Sequence, residues 1–543
     1  MRDFVALFSA LDRSTATRAK LDALTDYFGR ASDADAAWAL YFLAGSKPRQ
    51  IVPVKTLRAL ACAEAQIPDW LFAECYESVG DLAETIALVL PTPPPASARA
   101  PETTQASLTY WIEERLLPLR GADESSVTAA LRSAWQVLDH DSRFIWNKLI
   151  TGGFRVGVSK LLITRAIAAH AGLDHKFIAE RLMGQWQPTP ERYRSLLAST
   201  GERTVPLGQP YPFFLAHALH DPVESLGPID RWQVEWKWDG IRAQLVRRDG
   251  ATYLWSRGDE LITDRFPEIA AIGAALPEGT VLDGEVLAWR DGVLPFAILQ
   301  QRIGRKTVSA KVLADAPAAF LAYDLLEARS MDLRDQPLAT RRVQLEALVA
   351  EIAHTKLHCS ELIAASAWPE LTQARTESRR RGVEGLMLKA KQSRYGIGRT
   401  KPEDGAWWKW KIDPYSVDAV LVYAQRGHGR RASLYTDYTF AVWSGDELVP
   451  FAKAYSGLTD EEFRKIDAFI KKNTREKFGP VRSVTPELVF EIGFEGIARS
   501  PRHKSGVAVR FPRMLRIRSE KSARDADQLT TLIAMISAPV TPP

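Results

Sequence analysis

Cysteine is scarce in this sequence, and its scarcity excludes two kinds of site. The 543 residues include three cysteines, Cys62, Cys75 and Cys359, which lie far apart. Three scattered cysteines cannot form a four-cysteine zinc site, and their spacing does not fit a disulfide framework. The sequence therefore predicts a reducing compartment, and we expect a cytoplasmic protein.

Long apolar runs and a strong excess of one charge sign are also missing. No segment approaches the roughly 18 consecutive apolar residues of a membrane span, and Met1–Phe4 lacks the apolar region of a signal peptide. The net charge is only +5, so its distribution is more informative than its sum. Residues 499–524 contain nine Lys or Arg against one Glu, which fits a phosphate or nucleic-acid surface as well as a solvated charge run.

The pattern of apolar residues changes twice along the chain, which is too long for a single core. Up to about residue 200, apolar residues recur every three or four positions, which predicts an all-α domain. From about residue 208 to 413, short strands mixed with helices predict an α+β domain. Beyond Pro414, strand-like runs surround one helical stretch at 460–471, which predicts a small β-barrel with an inserted helix. The predicted domains are 1–205, 206–413 and 414–543.

Lys237 lies near the end of a segment, 231–239, in which polar and apolar residues alternate. In a strand, alternation would place Trp232, Val234, Trp236 and Trp238 on one face and Gln233, Glu235, Lys237 and Asp239 on the other. A lysine amine is a poor nucleophile near its reference pKa of about 10.4, because it is protonated at neutral pH. A nearby cation such as Arg242, or a bound metal ion, would lower the pKa of this amine. The deprotonated amine would then have a free lone pair for attack on a phosphate. The alternative is a charged residue on a solvated strand edge.

Two carboxylates occur in the apolar segment 282–286. Asp283 and Glu285 fall on one face of the predicted strand. Burying them requires a cation or a hydrogen-bond donor. A metal or ribose contact and a structural salt bridge both meet this requirement, and the sequence leaves the choice open.

Other short segments place cations or an aromatic ring on or beside predicted strands. Arg257 lies next to a glycine and either approaches a phosphate or belongs to a surface turn. Tyr323 either stacks on a nucleobase or packs in the core. Glu384 begins an apolar strand. Lys409 and Lys411 alternate with two tryptophans, so both amines face one side and form a phosphate clamp.

The order of these segments is more specific than any one of them. Six segments of this chain resemble, in sequence and spacing, motifs I, Ia, III, IIIa, IV and V of the covalent nucleotidyltransferases. They are KWDGIR (237–242), SRG (256–258), LDGEV (282–286), AYDLL (322–326), EGLMLK (384–389) and WWKWK (407–411). Residues 149–158 resemble the glycine-rich segment in the helical domain of ATP-dependent DNA ligases. Segments 510–513 and 518–521 resemble a sixth motif, with Glu520 where the family pattern has aspartate. The chain as a whole resembles bacterial ATP-dependent DNA ligases with an added N-terminal helical domain.

The resemblance implies an all-α DNA-binding domain, an α+β adenylation (nucleotidyltransferase) domain and a C-terminal OB-fold domain. It also implies nick sealing in three steps with ATP and Mg²⁺ as cofactors. Lys237 would attack the α-phosphorus of ATP, AMP would pass to the 5′-phosphate of a DNA nick, and the 3′-hydroxyl would displace AMP.

The same resemblance assigns parts of ATP to individual side chains. They are Glu235 for adenine, Tyr323 for stacking on the base, Arg242 and Arg257 for phosphate and ribose, and Lys409 and Lys411 for the α-phosphate. Arg399 is a further nucleotide contact only if residues 400–406 are counted as an inserted loop.

Metal and DNA contacts are also implied. Glu285 and Glu384 are the expected Mg²⁺ ligands, with ribose as the alternative for Glu285. Gly152, Gly153 and Arg155 are the expected contacts to DNA phosphates, because glycines let backbone amides approach them.

The expected partner is nicked double-stranded DNA, and no membrane partner is expected. A monomer would encircle the duplex and contact mainly the DNA backbone. An RNA ligase or a capping enzyme would share Lys237 and the motif order, but the segment 149–158 favours duplex DNA. Dependence on NAD is disfavoured because three cysteines cannot form the zinc module of those relatives. A clamp with a decayed active site is disfavoured by the candidates for every catalytic role. Roles in replication, repair and recombination all remain open.

Overall fold

The computed structural model forms two compact units, each assembled from separate parts of the chain. Among the described residues, one unit comprises 1–13, 45–156 and 413–536, and the other comprises 14–44 and 157–412. The structure describes residues 1–46, 48, 51–92, 106–154, 156–183, 186–198, 208–303, 305, 308–400, 405–427, 434–478 and 481–536. Within these ranges, no helix has the length and apolar character needed to cross a membrane.

Every regular element that the structure describes before His217 is a helix. Short polar side chains start many of these helices by accepting a hydrogen bond from a backbone N–H of the first turn, as Ser32, Asp81 and Asp139 do. The α-helices span Arg2–Arg13, Thr17–Arg30, Asp33–Leu43, Val54–Ala65, Asp69–Val79, Leu82–Val89, Leu108–Tyr110, Glu124–Val137, His140–Thr151, Lys160–Ala171, His175–Arg181 and Pro190–Leu197.

The unit made of residues 14–44 and 157–412 contains two β-sheets. Its strands are β1 (His217–Ala218), β2 (Trp232–Trp236), β3 (Ile241–Arg248), β4 (Ala251–Ser256), β5 (Thr280–Ala288), β6 (Ala318–Ala328), β7 (Met331–Asp332), β8 (Leu357–Cys359), β9 (Gly385–Ala390) and β10 (Trp407–Lys411). The first sheet has the order β1-β10-β9-β2. The second has the order β4-β3-β5-β6-β7, with β8 paired to β6. Neighbouring strands are antiparallel except in the pairs β1–β10 and β6–β8.

Helices cover the second sheet with apolar side chains. The helix Pro267–Ala275 contributes Ile272 and the helix Leu338–Ile352 contributes Leu345, both fully buried in one cluster. Burying each such side chain stabilises the fold by about 1.5–3 kcal/mol. On the first sheet, Trp236 is buried in a separate cluster. Each sheet therefore has its own apolar support.

Residues 237–240 carry the chain from the first sheet to the second. Strand β2 ends one residue before Lys237, earlier than the predicted strand 231–239. Pairing nevertheless continues by one step, because Lys237 N–H donates to Gly385 O and Glu384 N–H donates to Lys237 O, each at 2.8 Å. Gly240 then approaches β5 so closely that a Cβ would lie 2.5 Å from a backbone oxygen. Only glycine fits this crossover, which holds Lys237 between the two sheets.

The chain after Asp413 forms mainly β-structure. Its strands are β11 (Tyr415–Arg426), β12 (Tyr435–Ser444), β13 (Glu447–Ala454), β14 (Thr474–Phe478), β15 (Val481–Val484), β16 (Val489–Phe494), β17 (Gly496–Arg499), β18 (Val507–Arg510) and β19 (Arg513–Ile517). A seven-stranded sheet is centred on β11, which pairs with β12, β15 and β16. Register shifts between β11 and β12 indicate bulges, which bend a strand and increase its twist.

The predicted inserted helix is present as Asp460–Asn473. A capping box between Thr459 and Glu462 starts it, and Phe463, Ile466 and Ile470 enter the core of the curved sheet. The predicted fold class is therefore confirmed as a helical N-terminal region, a mixed α/β region and a C-terminal β half-barrel. The domain boundaries 1–205, 206–413 and 414–543 stay a prediction.

Candidate active site

Lys237 and Glu384 form an ion pair at the crossover between the two sheets. The side chains are 21% and 19% exposed, so a ligand can still reach the amine. Lys411 approaches the same oxygen of Glu384, with 3.4 Å between Nζ and Oε2. One carboxylate thus holds two amines at the end of the first sheet.

Lys409 joins this cluster and completes the predicted clamp of Lys409 and Lys411. Burial lowers the pKa of Lys409, and the positive charges of Lys411, Arg399 and Lys237 lower it further, whereas Glu384 raises it. Mutual repulsion shows that the cations share one region. Such a concentration of positive charge suits a ligand with several negative charges, such as a polyphosphate.

Glu285 brings a half-buried carboxyl group from the second sheet to the same place. It accepts no hydrogen bond from the residues that the structure describes. Burial raises its pKa to about 8, although Lys237 and Arg242 lower it. Repulsion from Glu384 adds to the increase, so the two carboxylates lie near each other. Across the described ranges no group of three or more His, Cys, Asp and Glu forms a metal site, and the Mg²⁺ roles of Glu285 and Glu384 stay a prediction.

Asp283 behaves differently from Glu285, although both belong to β5. Its carboxylate accepts hydrogen bonds from Arg242 Nη2 at 2.8 Å and from the Tyr395 hydroxyl at 2.6 Å. Burial by itself lowers the pKa of the Arg242 guanidinium. The carboxylate of Asp283 outweighs this effect and raises the pKa of Arg242 above its usual range. Asp283 therefore forms the structural salt bridge, one of the alternatives that the sequence left open, whereas the metal or ribose contact of Glu285 stays a prediction.

Glu235 is buried with Lys389, the last residue of the EGLMLK segment, to which the sequence assigned no role. Lys389 Nζ donates to Glu235 Oε1 at 2.8 Å, and Gln233 Nε2 donates to the same oxygen at 2.7 Å. The polar face of β2 is thus covered by the protein rather than exposed to solvent. The register explains the contact, because Gln233 pairs directly with Lys389 across β2 and β9.

Tyr323 lies beside these residues as an almost fully buried ring. Lys389 Nζ is 4.2 Å from the ring centroid and the Arg242 guanidinium carbon is 5.7 Å from it. Such contacts are attractive because a cation lies over the electron-rich face. Burial raises the pKa of the tyrosine hydroxyl well above its usual range. The burial of the ring fits the alternative of core packing, and stacking on a base stays a prediction.

A second buried ion pair supports Tyr323 from the next residue. Asp324 and Arg341 are both 0% exposed and are joined by two hydrogen bonds, of 2.8 and 2.9 Å. Arg341 also donates to Ser393 O at 3.2 Å. The pair fixes β6 to the helix Leu338–Ile352.

Two of the predicted arginines lie at the surface. The backbone N–H of Arg257 donates to Arg242 O at 2.9 Å, and its side chain is exposed. Arg399 is also exposed, and its charge reaches Lys409. The structure therefore brings Arg399 to the clamp of Lys409 and Lys411.

The glycine-rich segment belongs to the unit that contains residues 45–156. Gly152 ends the helix His140–Thr151 with φ of 76°, and Gly153 has φ of 87°, a conformation that favours glycine. Lys148 Nζ donates to Gly153 O at 3.4 Å and pairs with Asp81. Arg155 lies outside the described residues.

The sixth motif forms a cluster around one carboxylate. Arg518 Nη1 and Lys521 Nζ donate to Asp418 at 2.9 and 2.5 Å. Glu520, which stands where aspartate was expected, accepts from Arg518 Nε at 2.6 Å. Arg516 pairs with Glu491 at 2.6 Å and remains 62% exposed.

Three residues of this site were missed by sequence reasoning. Lys389 and Gln233 support Glu235, and Tyr395 supports Asp283. Lys389 and Gln233 occur in segments that had been recognised, so strand pairing could have indicated them. Tyr395 carried no signal, because it lies in the loop between β9 and β10.

Comparison with known proteins gives the same answer along the whole chain. Family models described as DNA ligase N terminus, ATP dependent DNA ligase domain and ATP dependent DNA ligase C terminal region match residues 1–168, 214–411 and 431–521. A probable DNA ligase of Koribacter versatilis is 36% identical over 70% of each chain. DNA ligase 1 of Korarchaeum cryptofilum is 28% identical over 97% of each chain.

The fold is also found among solved structures. The structure named Pmar-Lig_Pre has a TM-score of 0.63 at 15% identity, with 95% of this chain and 99% of that one covered. At this identity the likeness concerns the fold alone. Together with the three family models and the bacterial relative, it leads to one conclusion: the chain belongs to the family of ATP-dependent DNA ligases.

Proposed function

We propose that this ATP-dependent DNA ligase seals nicks through a lysyl-AMP intermediate on Lys237. The single observation that supports this most is the position of the Lys237 amine beside Glu384, Lys409 and Lys411. In the first step, Nζ bonds to the α-phosphorus of ATP, the bond between that phosphorus and the α–β bridging oxygen breaks, and pyrophosphate leaves. Glu384 is the nearest acceptor for the proton that the amine must lose.

The clamp of Lys409 and Lys411 stabilises charge on the phosphate during each transfer. The cations are already in place before a ligand binds, so little reorganisation is needed in the transition state. Arg399 and Arg257 are exposed and are proposed as further phosphate or ribose contacts. Arg242 keeps this proposed role through the part of its guanidinium that Asp283 leaves accessible.

The donor set around Lys237 fits Mg²⁺. This ion prefers one or two carboxylates together with phosphates and water, and Glu285 is a half-buried carboxyl without a hydrogen-bond donor among the described residues. Glu285 and Glu384 would hold the ion, which when bound would neutralise phosphate charge. Ribose is the alternative ligand of Glu285.

The adenosine part is proposed to lie between the two sheets, with Tyr323 of the second sheet stacked on the base and Glu235 of the first sheet bonded to it. AMP then passes from Lys237 to the 5′-phosphate of a nick. Attack by the 3′-hydroxyl forms the phosphodiester bond and releases AMP.

Nicked duplex DNA is the proposed substrate, bound by a monomer that encircles it. The backbone of Gly152 and Gly153, with Arg155, is proposed to contact DNA phosphates, and the basic residues 499–524 add positive charge. We place the protein in the cytoplasm, supported by three free cysteines. Contacts to the DNA backbone predict steep salt dependence and little base preference.

Labelling with α-labelled ATP and Mg²⁺ tests the nucleophile. The wild type should become covalently labelled, and Lys237→Ala should not. Lys391→Ala is the matched control, because it removes a lysine outside the site and should label normally. Equal labelling of Lys237→Ala and the wild type would contradict the assignment.

A nick whose 5′ end already carries AMP separates the steps. Because Lys237 acts as nucleophile only in the first step, Lys237→Ala should still seal this substrate at a measurable rate without ATP. Loss of sealing on both substrates, with the fold intact, would show that Lys237 is also essential after the first step.

A further inference from the structure

The arrangement of donors around Glu235 leaves its carboxylate with one occupied and one unoccupied oxygen. Oε1 accepts from Lys389 Nζ at 2.8 Å and from Gln233 Nε2 at 2.7 Å. Oε2 accepts no hydrogen bond from any residue in the described ranges. All three side chains are at most 5% exposed, so the arrangement is fixed by the surrounding protein.

Both protein groups that contact Glu235 Oε1 are hydrogen-bond donors. The Lys389 ammonium carries hydrogen atoms and no lone pair, so the oxygen that it contacts acts as an acceptor. Gln233 also donates to Oε1, through its amide nitrogen, so Oε2 is the oxygen whose lone pairs remain for a ligand.

Purine bases differ in what they offer such an acceptor. The 6-amino group of adenine donates a hydrogen bond, whereas the 6-oxo group of guanine only accepts and would be repelled by Oε2. A site built to bond one polar group discriminates strongly against an analogue that lacks it.

We propose that Gln233 and Lys389 are positioning residues that determine specificity: they hold Glu235 as a one-oxygen acceptor that selects a 6-aminopurine nucleotide over a 6-oxopurine nucleotide. This inference rests on the proposed function, which places the base against Glu235. Neither residue needs to touch the base, because both act through the carboxylate.

Covalent labelling with α-labelled ATP and GTP in parallel tests the proposal. The measured quantity is the ratio of kcat/KM for the two nucleotides in labelling of Lys237. Lys389→Met keeps the length of the side chain and removes its charge, so the ratio should fall by at least about tenfold. Most of the change should appear as a higher KM for ATP, because the variant keeps Lys237, Lys409 and Lys411.

Gln233→Leu provides a second variant that keeps the ion pair. It removes one neutral hydrogen bond, so a smaller fall in the ratio is expected, about threefold to tenfold. This variant decides the question if Lys389→Met does not fold. Lys391→Met, a lysine two residues further along, is the control and should keep the wild-type ratio.

The outcomes separate this inference from the proposed function. An unchanged ATP-to-GTP ratio in folded Lys389→Met, or in Gln233→Leu if the first variant is unfolded, overturns the inference. Absence of label on the wild type overturns the proposed function instead. A lower ratio in the variants, with normal behaviour of Lys391→Met, supports the inference.

Discussion

The proposed nucleotide site around Lys237, with the buried residues that support it, and the basic segment 499–524 both contain several cations, but their surroundings differ. At the proposed nucleotide site, Lys389 and Arg341 are buried with carboxylates and make short hydrogen bonds. In the basic segment, Arg518 and Lys521 are paired with Asp418, but Arg516 and Lys504 are mostly exposed. The same residue types therefore have a structural role where they are buried and not at exposed positions such as Arg516 and Lys504.

This difference separates two functions of positive charge. Buried cations in fixed positions stabilise charge that develops during a reaction, because the protein does not have to reorganise. Exposed cations are screened by salt and contribute little to folding, but they attract a polyanion such as DNA. Substitutions at the proposed nucleotide site should therefore change stability or chemistry, and substitutions in the basic segment should change DNA affinity.

The largest expected effect is on stability, at Arg341. Replacing it by methionine leaves Asp324 buried without a cation, which should lower the free energy of unfolding by about 3–5 kcal/mol. Thermal and denaturant unfolding measure the loss. Arg380→Met is the matched control, since this arginine is 78% exposed and its loss should change stability by at most about 0.5 kcal/mol. A loss below about 1 kcal/mol at Arg341 would remove the distinction between the regions.

Lys409→Ala should affect chemistry rather than folding. The side chain is only half-buried, but its charge belongs to the phosphate clamp, so labelling of Lys237 should slow by about 100-fold. Single-turnover labelling measures the rate, and a melting curve verifies the fold. A normal labelling rate would show that Lys411 alone supplies the charge.

Changing the pH sharpens the same point. The pKa of Lys409 is lowered by burial and by the neighbouring cations, so its charge is present below that pKa and is lost as the pH rises through it. Arginine keeps its charge at high pH. Labelling by Lys409→Arg should therefore persist to higher pH than labelling by the wild type. Identical alkaline limits would assign the limit to another group.

The smallest effect on stability is expected for Arg516→Ala. Its ion pair with Glu491 is exposed, so the free energy of unfolding should change by at most about 0.5 kcal/mol. Affinity for nicked DNA should fall, and the slope of log K against log salt should decrease by about one. Titrations at several salt concentrations measure both quantities. A large loss of stability without a change in slope would reverse the comparison.

Much of the fold and part of the site could be predicted from the sequence. The helical stretch predicted at 460–471 is present as the helix Asp460–Asn473, whose start coincides with a local capping box of Thr459 and Glu462. Alternation placed Lys409 and Lys411 on one face, and the motif order brought Lys237 and Glu384 to one site. These predictions depend on neighbours in the chain or on the order of segments.

The sequence could not predict in the same way which side chains form ion pairs or hydrogen bonds with each other. Asp283 and Glu285 have the same spacing pattern, yet one is paired with Arg242 and the other has no donor among the described residues. That outcome depends on β3 lying beside β5 and on the loop that brings Tyr395. Long-range geometry decides it, so a single sequence leaves both alternatives open.

Amide hydrogen exchange should record the reciprocal backbone bonds between Lys237 and residues 384–385. The amides of Lys237 and Glu384 lie one step beyond the regular β2–β9 ladder, so we expect them to exchange by local opening rather than by global unfolding. A nucleotide attached to Lys237 and stacked on Tyr323 would join the two sheets and slow this exchange. Protection of these two amides would therefore distinguish the enzyme that carries AMP on Lys237 from the enzyme without AMP in one sample. No label on the phosphate would be needed.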